Sequence, residues 1–73
     1  MRKIARERAI IMRRIRDEAN SALGAADNFL WYMAPENNLG ECTPKEWNRY
    51  RDRSAKAFDK SVAKIKKLTA SLP

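Results

Sequence analysis

Histidine is absent from the 73 residues, and cysteine occurs once, at Cys42. The missing imidazole removes the side chain most used as a general base near neutral pH. A lone cysteine forms no internal disulfide, and a thiolate zinc site ordinarily needs two or more cysteines together with histidine. With no histidine to activate it, Cys42 reads as a small loop residue. No cofactor and no metal site is therefore expected. Glu36 and Glu41 share one loop, but two loop carboxylates without a pocket are ordinarily solvated, so an enzyme is the least expected class. A small domain free of disulfides suits the cytoplasm.

Long apolar runs are also missing. None approaches the ~18 residues of a membrane span. The N-terminus mixes charge into every turn and offers no apolar stretch of a secretory signal. At this length the expectation is one basic helical domain over residues 1–73, with its first and last few residues frayed. Such a chain buries only about 60% of the surface its unfolded form exposes. A thin core is expected, with no room for a deep substrate pocket.

What the chain has in excess is positive charge, +7 overall, and it is unevenly placed. Residues 1–16 hold seven cations against Glu7 alone, a net +6. Residues 17–44 hold no Lys or Arg and carry −5. Residues 45–73 set nine cations against Glu46, Asp52 and Asp59, again +6. A basic–acidic–basic chain of this kind attracts phosphate backbones or acidic protein patches.

Hydrophobic spacing gives an all-α reading. Ile4, Ile11, Met12, Ile15, Ala19, Ala22 and Leu23 form one apolar stripe and predict a helix from Arg2 to Leu23, stopped at Gly24. Arg2, Arg6, Arg13 and Arg16 fall on its other side. A short apolar helix is expected over Ala26–Met33, mostly core, with Tyr32 its most exposed member. Pro35 ends it and pushes Ala34 out of helical geometry. The loop that follows is expected to turn at Asn37, Asn38 and Gly40 and to be pinned by Leu39 in the core. Thr43-Pro44-x-Glu46 predicts an N-cap, a first-position proline and a capping box. The helix it starts is expected to reach Leu68, with Trp47, Tyr50, Ala57, Phe58, Val62, Ile65, Leu68 and Leu72 inward. Leu30 and Ile15 are the expected partners of Trp47 and Phe58. Lys56, Lys60, Lys64 and Lys67 repeat on another face, and Ser54 is the expected weak point. The predicted architecture is thus a small all-α domain of two long amphipathic helices bridged by a short apolar one.

The stretch Trp31-x-x-x-Pro35-x-x-x-Leu39-Gly40-x-x-Thr43-Pro44-x-Glu46-Trp47 resembles the signature of the toxin-binding domain of Xre/MbcA/ParS-type antitoxins. Each piece of it (helix stop, turn, N-cap) has a local structural cause, so it speaks for a fold unit before it speaks for a function. In its length, its basic helical build and its lone-module form, the whole chain is similar to the small RNA-polymerase-binding transcription regulators of Xanthomonas phages. That resemblance implies contact with the β′ N-terminal segment and the β flap of host RNA polymerase. It also implies inhibition of initiation, promotion of antitermination, and a place in the host cytoplasm.

The leading expectation is a non-enzymatic monomer that docks on host RNA polymerase without a membrane. The candidate contact residues are Arg2, Arg6, Arg13, Arg16, Lys56, Lys60 and Lys64 for steering, with Tyr32 and Asn38 for holding. An antitoxin-like toxin binder and a helical nucleic-acid binder are the alternatives. Weak, non-specific nucleic-acid contact is expected in any case. A helix-turn-helix over residues 8–33 is disfavoured, because its second helix has no Arg, Lys or Gln to read base edges.

Overall fold

Pro44 has a preset φ and no amide to leave unpaired, so it sits well at a helix start. The computed structural model, which describes residues 2–73, begins the second long helix there. Thr43 is extended (φ −68°, ψ 157°), and its Oγ1 accepts from the Glu46 amide at 3.2 Å. The same hydroxyl donates to Glu46 Oε1 at 3.1 Å. The capping box thus closes through the Thr43 hydroxyl. This helix, α2, runs Pro44–Ala70. Glu46 in its first turn and Lys67 in its last both agree with the helix dipole.

The first helix departs from the sequence reading. It does not stop at Gly24 but runs unbroken as α1, Arg2–Met33. The expected bridging helix is simply its last part. Gly24 stays helical, since Gly40 alone among the described residues has a positive φ, 87°. Glycine inside a helix costs about 1 kcal/mol relative to alanine. Here Ala22, Ala25 and Ala26 flank it with good helix formers, and packing on both sides of it holds the turn. Met1, the first of the residues expected to fray, lies outside the described residues.

Pro35 ends α1 as expected, with Ala34 extended at φ −102°, ψ 98°. A single 3₁₀ turn, Pro35–Asn37, follows. Side-chain amides organise the loop. Asn37 Nδ2 donates to the Trp31 carbonyl at 2.9 Å. Asn38 bonds Cys42 twice, donating to its carbonyl at 2.9 Å and accepting from its amide at 3.2 Å. Leu39 has no part in this. It is 83% exposed, so the expected hydrophobic pin is replaced by the Asn38–Cys42 pair.

The two helices form a slender hairpin, 58 × 15 × 13 Å. Its seam is lined by small residues: Ala22 and Ala25 from α1, Ser54 and Ser61 from α2, are the four buried among the described residues. Ser54 is therefore a seam residue and not a weak point. Its Oγ donates to the Tyr50 carbonyl at 3.0 Å, which satisfies the hydroxyl within its own helix. Among the described residues no large side chain is fully buried. Several residues of the expected inward stripes instead stand on the flanks, with Leu23 64%, Leu30 65% and Phe58 39% exposed. Trp47 does turn inward, but its partner is Tyr32. The indole Nε1 donates to the Tyr32 carbonyl at 2.9 Å, and the rings meet edge to face at 4.8 Å. Tyr50 joins them, 5.9 Å from Tyr32.

Two stability changes follow. A Cβ built on Gly24 meets nothing within 4 Å. Gly24→Ala should therefore stabilise the chain by about 0.5–1 kcal/mol. A rise in denaturation midpoint at unchanged m-value is the expected result. Thr43→Ala should cost about 1 kcal/mol, seen as faster amide exchange at Lys45 and Glu46 with the rest of α2 little affected.

Candidate cationic interface

A helix that turns small residues to its neighbour presents its opposite side to water. On α2 that side and the flank adjoining it carry Lys45, Arg49, Arg53, Lys56, Lys60, Lys64 and Lys67, all exposed. Their spacings of four, four, three, four, four and three residues keep them in one line along the helix. Asp52, three residues after Arg49 and four before Lys56, is the acidic residue at the margin of that line. At ~1.5 Å per residue the ridge spans roughly 33 Å. Lys45, Asn48, Arg49, Asp52, Arg53 and Lys56 border an open hollow of about 500 Å³ beside its first half.

Two members of the ridge touch neighbours. The Arg53 guanidinium lies 5.8 Å from the Tyr50 ring centroid, within range of a cation–π contact. Lys64 Nζ approaches Glu18 Oε1 of α1 at 3.7 Å. With the lysine more than half exposed, such a pair contributes little to stability. It does mark the register of the two helices. Arg51 stands off the ridge and pairs locally with Asp52 at 3.4 Å.

The structure therefore brings Lys56, Lys60 and Lys64 together, as their sequence spacing implies, and extends them with Lys45, Arg49, Arg53 and Lys67. The signal for the extension is the same three-and-four spacing carried back to the start of α2. Arg2, Arg6 and Arg13 also share a face, about half a turn of α1 away from Ala22 and Ala25, with Arg16 beside them. That face points away from the seam. The two basic stripes lie on opposite edges of the hairpin and do not form one site.

Tyr32 and Asn38 are occupied within the fold. Tyr32 is half-buried against Trp47 and Tyr50. Asn38 is half-buried and bonded to Cys42. The exposed large side chains near the loop are Trp31, Met33 and Leu39, which corrects the expectation that Tyr32 is the most exposed of that segment. Among the described residues no three His, Cys, Asp or Glu side chains gather into a metal-ligating group, and no helix is long and apolar enough to cross a membrane.

A line of seven cations can track a phosphate backbone or an acidic protein groove by charge alone, with no sequence readout. For duplex DNA, each neutralised phosphate contributes about −0.9 to the slope of log K against log salt. Lys56→Glu/Lys60→Glu should therefore lower that slope by about two and weaken binding equally for unrelated sequences. A fluorescence-anisotropy titration over several salt concentrations measures both.

No family model, no curated protein and no solved structure matches the chain.

Proposed function

We propose that the chain is a non-enzymatic regulator that docks on host RNA polymerase, inhibiting initiation and promoting antitermination. The observation that carries the docking is the seven-cation ridge of α2, whose length and charge fit an acidic or phosphate-bearing partner surface. The polymerase itself, with its β′ N-terminal segment and β flap as the contacted parts, comes from the resemblance of the whole chain to phage regulators. Such a partner would meet charge first, and the arginines of α1 add a second edge of the same sign.

The alternative, an antitoxin-like toxin binder, draws on a separate observation. Trp31 and Leu39 of the resembling motif are exposed beside the loop and free to be covered by another protein.

Affinity capture from the native host, followed by mass spectrometry, separates the two. Polymerase subunits support the first reading and a toxin enzyme the second. If polymerase is captured, surface-based kinetics should show that Lys56→Glu/Lys60→Glu slows association about tenfold or more at low salt, with dissociation nearly unchanged. The defect should shrink as salt screens the field. Equal association rates for variant and parent at low salt would remove the ridge from the interface.

A further inference from the structure

We propose that the apolar flank of the hairpin is covered by a second copy of the chain, which lies antiparallel to the first and completes a four-helix bundle. The proposal is independent of the polymerase reading, and it departs from the monomer expected of the sequence.

Beside the seam, Ala26, Phe29 and Leu30 of α1 and Ala55, Phe58 and Asp59 of α2 line an open groove of about 380 Å³, its walls almost wholly apolar. On α1 the groove continues a stripe formed by Met12, Ala19, Leu23, Ala26 and Leu30, at spacings of seven, four, three and four. That is the a/d spacing of a helix meeting another helix. On α2 the matching stripe is Ala55, Phe58 and Val62. Leaving such a face in water is unfavourable, and within the hairpin no large side chain is fully buried to offset it.

The stripes identify the occupant because each is self-complementary about one centre. The α1 stripe, Met12 to Leu30, is centred at about residue 21, and the α2 stripe, Ala55 to Val62, at about residue 58. The Tyr32–Trp47 and Glu18–Lys64 contacts show that residues facing each other across the seam have numbers adding to about 80. The two centres therefore lie at the same height. A two-fold axis across the hairpin at that height lays α1 on its own copy and α2 on its own copy at once. Met12 then meets the second copy's Leu30, and Ala19 meets its Leu23, a small residue against a large one. Isologous two-fold contacts are the commonest form of homodimer.

Charge decides the direction. The free end, residues 1–16 with 64–73, carries +9, and the remainder, residues 17–63, carries −2. A parallel pair would set +9 upon +9. The antiparallel pair lays each basic end over the loop end of the other, which holds Asp27, Glu36 and Glu41, and brings Arg16 beside the second copy's Asp27. It also supports the first turns of α1, where residues 2–10 are all exposed. The α1 stripe, Met12 to Leu30, runs about 27 Å along this face at ~1.5 Å per residue, five helical turns of contact.

Sedimentation equilibrium and Cys42 spin labels test this on the intact chain. The parent should sediment at about twice its 8.5 kDa. Leu23→Lys/Leu30→Lys should halve that mass while its circular dichroism stays helical, since both side chains lie outside the seam. Labels on the two Cys42 thiols should stand about 50 Å apart, near the length of the hairpin. In a parallel pair they would fall within about 20 Å. A parent that remains a single chain up to millimolar concentration overturns the proposal, as does a double variant that stays dimeric or a short label distance. A single-chain parent whose binding to a polymerase fragment is abolished by Leu23→Lys/Leu30→Lys would assign the face to that protein instead, and overturn the proposal equally.

Discussion

Close approach of two helices requires small side chains between them, and here the rest of the molecule follows from that requirement. Ala22, Ala25, Ser54 and Ser61 fill the line of contact. Side chains of that size bury little apolar area, about 25 cal/mol for each Å² removed from water. The seam therefore sets the geometry of the hairpin more than it stabilises it. Leu23, Leu30 and Phe58 are displaced to one flank, where they stand partly in water. The cations of α2 are turned to the outer side. The aromatic group of Tyr32, Trp47 and Tyr50 supplies the most specific tertiary contact and sits beside the loop.

The features legible in the sequence are those with local causes. Thr43-Pro44-x-Glu46 starts a helix because hydroxyl, ring and carboxylate act within four residues. Ala34-Pro35 ends one because the ring excludes helical geometry from the residue before it. The all-helical class and the break before Pro35 were readable on the same grounds. Inwardness was legible in part: Ile11, Ile15, Ala22, Trp47, Tyr50, Ile65 and Leu68 turn inward as their spacing implies, while Met12, Leu23 and Phe58 stand exposed, because apolar character alone does not say which of two adjoining stripes faces the nearer helix. Both α1 and α2 carry two such stripes, one of small residues and one of large. The seven-residue step Trp47, Ser54, Ser61, Leu68 marks the seam on α2, and its two serines carry no hydrophobic signal. Gly24 misleads for a related reason: a glycine stops a helix where nothing lies beyond it to pack, and Ala25 is a seam residue.

The charges show the same split between local and tertiary causes. On α2 they agree with the helix, acid at the start and base at the end. On α1 they oppose it. The first turn holds no acidic residue and the last no basic one, while Arg2 and Lys3 stand at the positive end of the dipole. A helix whose charges disfavour its own beginning depends on something other than itself to hold that beginning in place. Within the hairpin α2 does not reach so far, since the Glu18–Lys64 register brings its last residue, Ala70, level with about Met12. The basic ridge of α2, in contrast, rests on a helix capped at its start, held by the aromatic group and packed along its length, and so presents its charges from a fixed frame.

The aromatic clasp beside the loop gives the hairpin a direction in time. Tyr32 and Trp47 are fifteen residues apart in the chain, so their meeting closes a short loop at small entropic cost. Contacts farther along the seam join residues ever more distant in sequence, and each is cheaper once the one before it is made. The chain should thus zip from the clasp outward, on the fast timescale of helical proteins rich in local contacts. Unzipping should run the opposite way, with the termini parting many times for every opening of the clasp. Protection of backbone amides would then fall in a gradient along 58 Å. A protease would find the ends of the chain long before it found the loop that joins the helices.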